Sequence, residues 1–296
     1  MPLGEFLAEA GLELITELIG WHGLPDDYEE VVENDWLPIA QEIARHAASK
    51  RPLVVGINGA QGSGKTTVCA FLEPLLAELG LTAITLSLDD LYLTRDERSR
   101  LARRVHPLFA TRGVPGTHDV ALGMALLDRL RAGQSTDLPR FDKGRDDRAP
   151  GRAQIEGPVD VVLFEGWCVG ARPQDETALA RPANTLERDE DPDGTWRHEV
   201  NRRLATDYAD LFARIDLLVM LKVPDFEAVR ANRRLQEQKL GAGPAVMDEP
   251  ALERFLAHYQ RLTEDMFAEM PARADILVEI GRDQRPLRLS TRGQTE

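Results

Sequence analysis

Residues 59–66 read Gly-Ala-Gln-Gly-Ser-Gly-Lys-Thr and match the phosphate-binding loop pattern G-x-x-x-x-G-K-[ST]. The preceding residues 53–57 are a short apolar run typical of a buried parallel strand, and a helical pattern follows the loop as far as Gly80. Between a strand and a helix, the N–H groups of such a loop and the positive end of the helix that follows it can bind the same anion. We expect Lys65 to reach the outer phosphates of a nucleotide and the Thr66 hydroxyl to hold Mg²⁺. The predicted phosphate-binding residues are Gly59, Ala60, Gln61, Gly62, Ser63, Gly64, Lys65, Thr66 and Thr67.

The composition is ordinary for a globular protein and narrows the possible partners. Of the 296 residues, 43% are apolar and 29% are charged, which suits one large domain or two small ones. The net charge of −14 argues against a nucleic-acid binder, because neutralising phosphates requires a basic excess. Cys69 and Cys168 lie far apart and are expected to be reduced core thiols. The chain begins with a charged amphipathic helix and shows no secretory leader. We therefore expect a cytoplasmic protein with no membrane contact and no obligatory protein partner.

Short apolar runs alternate with helical patterns after residue 50, and this alternation indicates an α/β fold. Residues 1–50 are predicted to be a helical extension, and residues 51–296 to be one phosphate-loop domain. We predict a three-layer fold of the phosphate-loop NTPase and kinase type, with a mostly parallel five-stranded sheet and helices on both faces. The strands are predicted at 53–57, 83–88, 159–164, 215–221 and 275–280. Helices are predicted at 65–79, 119–132, 196–213, 225–239 and 249–270, and loops at 141–158 and 171–194.

Carboxylates follow two of the predicted strands. Asp89 and Asp90 come directly after the second strand, where a carboxylate could accept a proton from an attacking hydroxyl near the terminal phosphate. The alternative is a solvated turn or a helix cap, in which Asp is also favoured. Glu165 follows four apolar residues of the third strand in a Walker-B-like pattern, which would place it beside Thr66 at the Mg²⁺ ion. A Glu that simply emerges into solvent is the alternative there.

Basic residues occur in the segments between the strands. Arg112 suits a substrate carboxylate or phosphate, because a guanidinium offers a fork of donors. Arg140 and Lys143 lie in a segment that we expect near the site, and a surface salt bridge would explain them nearly as well. A helix rich in basic residues leads to the Gly/Pro run at 241–244, which predicts a lid near residues 230–250 that closes on phosphates. A charged solvent face is the alternative. The predicted lid residues are Arg230, Arg233 and Arg234.

In combination these stretches resemble the phosphate-loop D-glycerate 3-kinases of the plant and fungal type and their bacterial relatives. Those enzymes are similar to uridine kinase, pantothenate kinase and phosphoribulokinase. The resemblance covers most of the chain after residue 51, in the same order, and is most specific at residues 87–92, 112–119 and 163–167. These motifs read Ser-Leu-Asp-Asp-Leu-Tyr, Arg-Gly-Val-Pro-Gly-Thr-His-Asp and Leu-Phe-Glu-Gly-Trp. Two positions depart from the family pattern: Leu91 stands where Phe is usual, and Phe141 stands where Tyr often occurs, which removes a hydroxyl.

The resemblance implies an ATP-dependent kinase that phosphorylates D-glycerate to 3-phosphoglycerate, with ATP and Mg²⁺ as cofactors. In this interpretation Asp89 is the base, Lys65 assists phosphoryl transfer, and Thr66 and Glu165 hold the metal ion. The implied contacts of the hydroxy-acid substrate are Asp90, Tyr92, Arg112, His118, Arg140 and Lys143. Two alternatives stay open. One is the same chemistry on pantothenate, a nucleoside or a sugar phosphate, and the other is a nucleotide-regulated binding protein without turnover.

Overall fold

A six-stranded sheet forms the centre of the computed structural model, which describes residues 3–239 and 247–293. Its strands lie in the order β2-β5-β1-β6-β7-β8, and β3 and β4 form a separate two-stranded sheet. The strands are β1 Leu53–Gly59, β2 Ala83–Ser87, β3 Thr136–Asp142, β4 Asp147–Ile155, β5 Val161–Gly166, β6 Leu217–Lys222, β7 Ile276–Ile280 and β8 Pro286–Thr291. The predicted α/β class and the predominantly parallel sheet are confirmed.

The strand that leads into the phosphate loop, β1, lies in the middle of the sheet. It pairs in parallel with β5 on one side and with β6 on the other, so that Asn58 lies opposite Gly166 and Met220. Every residue of β1 is buried, because a central parallel strand is covered on both faces. The carboxyl ends of β1, β2, β5 and β6 therefore meet at one edge of the sheet, which is where α/β folds place ligands.

Helices cover both faces of this sheet, and successive β1 residues face opposite layers. Val55 packs in an apolar cluster with Ile43 and Leu72, whereas Val54 belongs to a second cluster with Leu127 and Leu211. Within the described residues, no helix combines the length and the apolarity that crossing a bilayer requires. The helices are α1 Leu3–Phe6, α2 Glu9–Trp21, α3 Tyr28–Val31, α4 Leu37–Ala47, α5 Lys65–Glu78, α6 Arg95–Arg104, α7 Val120–Arg131, α8 Glu176–Leu179, α9 Thr185–Glu190, α10 Thr195–Ala205, α11 Asp207–Phe212, α12 Phe226–Lys239 and α13 Glu249–Glu269.

Helices α1 to α4 precede the phosphate loop, and α2, α3 and α4 pack against α5. A π-helical turn at Val32–Trp36 joins α3 to α4 and buries the Trp36 ring. Ile39 and Ile43 continue the buried stripe along α4. Because these side chains share one apolar cluster with α5 and the sheet, the N-terminal helices cover one face of the nucleotide-binding fold. The division of the chain at residue 50 stays a prediction.

The structure differs from the sequence expectations in four places. A sixth strand, β8, pairs antiparallel with β7; its Leu287 is exposed, so the buried-strand pattern does not mark it. Most of the predicted loop 141–158 belongs to the β3–β4 hairpin, whose strands pair only with each other and so lack a core pattern. The predicted loop 171–194 contains the short helices α8 and α9. The predicted helix 196–213 is two helices, because the backbone of Thr206 leaves the helical region between α10 and α11.

Candidate active site

The phosphate loop connects the end of β1 to the first turn of α5. Gly62 and Gly64 adopt φ of 75° and 89°, a region in which side chains other than glycine are strained. A Cβ on Gly62 would lie 2.7 Å from the Cβ of Asn232, so the loop and α12 approach closely there. Asn232 also donates a hydrogen bond to the Gly62 carbonyl at 3.2 Å. Helix α12 is therefore docked on the phosphate loop.

A cavity of about 250 Å³ lies between the phosphate loop, the ends of β2 and β5, the hairpin turn, α12 and α13. Its walls include many of the residues that the sequence predicts. Those residues are Gln61, Gly62, Gly64, Lys65, Thr66, Thr67, Asp89, Tyr92, Arg112, Lys143, Glu165 and Arg233. Of the rest of the loop, Gly59, Ala60 and Ser63 are buried beneath the lining. Lys65 donates from Nζ to the Ala60 carbonyl at 3.2 Å, which folds its side chain over the loop.

The carboxylate of Asp89 is held from two sides. Its Oδ1 accepts a hydrogen bond from the Tyr92 hydroxyl at 2.7 Å, and its Oδ2 lies 2.7 Å from the Lys143 ammonium. Burial alone would raise the pKa of Asp89, but the charge and hydrogen bond of Lys143, together with the Tyr92 hydroxyl, lower it to about 2. The Asp89 side chain is therefore ionised at neutral pH, with one oxygen fixed and the other paired to a cation on the exposed hairpin turn.

Replacing Lys143 by Met should raise the pKa of Asp89 above about 2, because burial then acts with less opposition. A carboxyl whose pKa is lower in the folded chain stabilises the fold above the unfolded value of 3.8, and this contribution disappears as the pH falls through the folded pKa. In Lys143→Met the higher folded pKa of Asp89 narrows the gap to 3.8, so this contribution should be smaller and should be lost completely at a higher pH. Carbon-13 NMR titration of the Asp side chains measures the shift. Asp128, whose pKa is lowered by Arg214, is the internal control and should not move.

Glu165 lies at the end of β5, across the sheet edge from Asp89. It is 6% exposed, and Oε1 accepts a hydrogen bond from the Ser87 hydroxyl at 2.6 Å. Burial raises the pKa of Glu165, opposed by the Lys65 ammonium, while burial lowers the pKa of Lys65, opposed by Glu165 and Asp89. The Glu165 carboxylate and the Lys65 ammonium therefore compensate each other inside the cavity.

Oxygen donors of the kind that Mg²⁺ prefers line the cavity at Thr66 and Glu165. Among the described residues, no three His, Cys, Asp or Glu side chains converge on one possible metal position. This sparse donor set fits Mg²⁺, which usually keeps several waters and takes one or two carboxylates together with substrate phosphates. The side chains present therefore suit a nucleotide-associated Mg²⁺ ion better than a metal enclosed by the protein.

Asp90 and Arg140, which the resemblance implies as substrate contacts, do not line the cavity. Instead, Asp90 Oδ2 accepts from Arg140 Nη1 at 2.8 Å, and its Oδ1 accepts from the backbone N–H of Phe141 at 2.9 Å. A short 3₁₀ turn at Leu88–Leu91 separates the directions of the two neighbouring aspartates. In this structure Asp90 anchors the β3–β4 hairpin, and the hairpin carries Lys143 to Asp89.

His118, a further implied substrate contact, is 4% exposed and lies behind the cavity lining. Its Nδ1 is 2.6 Å from the Tyr208 hydroxyl, and its ring stacks on the ring of Tyr92 with centroids 4.7 Å apart. Burial lowers the pKa of His118 to about 3, so the imidazole is neutral. His118 supports Tyr92, which in turn holds Asp89.

Arg112 reaches the cavity from the segment between α6 and α7. Its guanidinium forms an ion pair with Asp146 in the hairpin turn and lies 5.6 Å from the centroid of the Phe141 ring. Its carbonyl accepts a hydrogen bond from the Tyr259 hydroxyl at 2.9 Å. These contacts fix both the backbone and the side chain of Arg112 at the cavity wall.

The Gly113→Ala variant should lower the free energy of unfolding by about 2 kcal/mol or more, from backbone strain and overpacking together. Gly113 has φ of 126°, and a Cβ there would lie 2.0 Å from the Tyr259 hydroxyl oxygen. Denaturant unfolding measures the change. Gly151→Ala in β4, where a Cβ meets nothing within 4 Å, is the matched control. Equal stability of the two variants would contradict the packing described here.

The three arginines of the predicted lid do not share one face of α12. Arg233 lines the cavity, whereas Arg230 pairs with Glu227 and Glu253 outside it. Arg234 likewise pairs outside the cavity, with Glu249 and Glu253. The Gly/Pro run at 241–244 lies outside the described residues. The structure thus brings one of the three arginines to the site.

Sequence reasoning missed four cavity residues and one residue that supports them. Trp167 packs edge-on against Tyr259 with ring centroids 4.8 Å apart and donates from Nε1 to the Gly113 carbonyl at 2.8 Å. Trp167 lies inside the Glu-Gly-Trp motif, so its position after a strand could have marked it as a site residue. The α12 and α13 residues carry no comparable local signal. The missed cavity residues are Trp167, Gln236, Phe255 and Tyr259, and the supporting residue is Asn232.

Comparisons with known proteins show which proteins this chain resembles. The sequence matches no described protein-family profile. It is 34% identical over 223 residues to the uncharacterized kinase mug58 of Schizosaccharomyces pombe, covering 71% of this chain and 79% of the other. It is 31% identical over 258 residues to the chloroplastic D-glycerate 3-kinase of Arabidopsis thaliana, covering 80% of this chain but only 54% of that protein. The solved structure of D-glycerate 3-kinase from Cryptococcus neoformans superposes with a TM-score of 0.71 at 27% identity, covering 86% of this chain and 96% of the other.

Proposed function

This chain belongs to the family of phosphate-loop kinases that includes the D-glycerate 3-kinases, and we propose that it transfers the terminal phosphoryl group of ATP to D-glycerate, giving 3-phosphoglycerate. One observation supports this function above the others. The phosphate loop, the Asp89 carboxylate and two cationic side chains, Arg112 and Lys143, line the same cavity. In this proposal the binding site for a nucleotide donor, a proton acceptor and partners for an acidic acceptor lie in one cavity.

The nucleotide end of the proposed reaction uses the phosphate loop and its neighbours. The loop amides and the first turn of α5 bind the phosphates, because unpaired N–H groups and the helix dipole favour an anion there. Lys65 leaves the Ala60 carbonyl for the outer phosphates. Arg233, on the α12 face of the cavity, adds a guanidinium at the same end. These cations balance negative charge that builds up on the transferred group.

The Thr66 hydroxyl and the Glu165 carboxylate would hold the Mg²⁺ ion of the ATP complex. When bound, Mg²⁺ neutralises phosphate charge and orients the phosphate oxygens. Ser87 holds Glu165 through its hydroxyl, at 2.6 Å, and so fixes the carboxylate that faces the cavity. The buried position of Glu165 also explains why it needs Lys65 nearby, since an uncompensated buried charge is costly.

The acceptor end uses Asp89, Tyr92, Arg112 and Lys143. Arg112 and Lys143 bind the substrate carboxylate, which takes the place of Asp89 as the partner of the Lys143 ammonium. Asp89 accepts the proton of the attacking hydroxyl as the new oxygen–phosphorus bond forms and the bond to the leaving ADP breaks. Tyr92 keeps one Asp89 oxygen bound, so the other faces the hydroxyl. A kinase of this design needs an acceptor that carries both a hydroxyl and a negative charge.

A panel of acceptors with coupled detection of ADP tests this function. D-Glycerate should stimulate ADP formation more than pantothenate, uridine or a sugar phosphate, and glycerol and uridine, which carry no negative charge, should stimulate it least. Preference for another acceptor of the panel would contradict the glycerate assignment but keep the kinase. No ADP formation with any acceptor would favour a binding protein without turnover.

A further inference from the structure

Glu237 in α12 is a buried carboxylate whose two oxygens have different partners. It is 5% exposed. Oε1 forms an ion pair with the guanidinium of Arg233, and Oε2 accepts a hydrogen bond from the backbone N–H of Met247 at 3.0 Å. A buried carboxylate is costly unless it is paired, so the Arg233 guanidinium and the Met247 N–H together stabilise the Glu237 charge. Glu237 therefore connects the end of α12 to Met247, which directly precedes Asp248, the N-cap residue of α13.

Arg233 is constrained on three sides at the cavity wall. Its Nη2 pairs with Glu237, its Nη1 donates to the side-chain oxygen of Gln236 at 3.0 Å, and the Phe255 ring centroid lies 5.5 Å from its Cζ. Each terminal nitrogen of a guanidinium carries two N–H groups, so each keeps one for a further acceptor. A guanidinium fixed in this way loses little freedom when an anion binds, which is the advantage of preorganisation.

The position of Arg233 along α12 relates it directly to the phosphate loop. The preceding residue, Asn232, is 4% exposed and binds the Gly62 carbonyl at 3.2 Å. The other side of Asn232 is also held, since its Oδ1 accepts from Gln284 at 3.0 Å. The backbone at 232–233 is therefore fixed against the loop, and Glu237, one turn later, fixes the side chain. Helix α12 thus supplies both a docked backbone and an oriented cation.

We propose that Glu237 is a positioning residue that holds the Arg233 guanidinium at the phosphate end of the cavity. The inference deepens the proposed function and rests on its nucleotide site. Glu237 does not line the cavity and acts through Arg233. Loss of its charge should weaken nucleotide binding, because Arg233 then samples other rotamers and loses its fixed orientation.

The neighbouring ion pairs on α12 and α13 offer a matched control. Glu253 pairs with Arg230 and Arg234 outside the cavity, and it is more exposed than Glu237. Exposed pairs of this kind contribute little, because water and salt screen them. Glu253→Gln makes the same chemical change as Glu237→Gln, on the facing helix, and should leave nucleotide affinity unchanged.

Calorimetric titration with a non-hydrolysable ATP analogue and Mg²⁺ tests the proposal, since this readout needs no acceptor. Glu237→Gln should raise the Kd on the order of tenfold, within the range of coupling between contacting side chains. The amide oxygen of Gln can still accept from Met247, so the fold should be kept, and the thermal unfolding midpoint checks this. If Glu237→Gln does not fold, Glu237→Asp, which keeps the charge but shortens the side chain, should raise the Kd in the same way.

A second variant separates positioning from a general structural role. In an Arg233→Gln background, Glu237→Gln should have no further effect on the Kd, because the group that it orients is gone. The positioning role of Glu237 would be overturned if Glu237→Gln had the wild-type Kd. It would also be overturned if Glu237→Gln raised the Kd by the same factor in the Arg233→Gln background as in the wild type. Either result would leave the proposed kinase function standing. A wild-type protein that does not bind the analogue would overturn both.

Discussion

The Asp89→Asn variant should lower kcat by about 10²- to 10⁴-fold, the usual contribution of a positioned general base. Asn has nearly the same shape as Asp, and its side-chain oxygen can still accept the Tyr92 hydroxyl hydrogen. The amide cannot take the proton of the acceptor hydroxyl at neutral pH. The KM for ATP should change little, because the phosphate loop is untouched. Steady-state kinetics with D-glycerate and ATP measure both constants.

Asp128→Asn is the control for Asp89→Asn. Asp128 pairs with Arg214 in an exposed position that does not line the cavity, so this variant should keep wild-type turnover. Circular dichroism and thermal unfolding establish that both variants are folded. A folded Asp89→Asn protein with wild-type kcat would exclude Asp89 as the base.

The Lys65→Met variant should reduce kcat/KM for ATP on the order of 10²- to 10³-fold, comparable to the loss of one preorganised donor to developing charge. Met keeps the length and the apolar contacts of the side chain but removes the ammonium. Burial lowers the pKa of Lys65, and the negative charges of Glu165 and Asp89 oppose this shift by stabilising the ammonium. Its removal also leaves the Glu165 carboxylate without its cation, and the pKa of Glu165 should rise further.

Lys50→Met is the control for Lys65→Met. Lys50 is exposed and pairs with Asp216, which Arg131 also contacts, so this ion pair is replaceable. The kcat/KM of the Lys50→Met variant for ATP should equal that of the wild type. If Lys65→Met also retained wild-type kcat/KM, the phosphate loop would not serve the donor nucleotide.

The features that were predictable from the sequence are local. The glycine spacing of the loop requires a tight turn, and the apolar run before it requires burial, so strand, loop and helix follow from a stretch of some twenty residues. Asp89 and Glu165 were predictable for the same reason. A polar residue directly after a buried parallel strand emerges at the carboxyl edge, whichever strands happen to be neighbours.

The features that were not predictable depend on contacts between distant segments. Asp89 and Asp90 are chemically identical and adjacent, and only the 3₁₀ turn together with the hairpin sends one to the cavity and the other to Arg140. His118 reads as a polar motif residue, yet the packing of Tyr92 and Tyr208 around it keeps it buried and neutral.

Helix α12 gives a further example of this limit. The sequence groups its arginines as one basic cluster, but only the docking of Asn232 on Gly62 determines which face meets the cavity. Arg230 and Arg234, one turn apart, share the face that pairs with Glu253, while Arg233 faces the phosphate loop. Periodicity alone cannot supply this orientation, because it does not show which neighbour the helix packs against.

The most direct test of the central claim is a single turnover with enzyme in excess over γ-labelled ATP, in the presence of Mg²⁺ and D-glycerate. The label should move from ATP into 3-phosphoglycerate, identified by chromatography against the authentic compound, and in the Asp89→Asn protein this transfer should be slower by the factor found for kcat. Label that stays in ATP, or that appears as inorganic phosphate at the same rate with and without D-glycerate, would contradict a cavity built to phosphorylate a hydroxy acid.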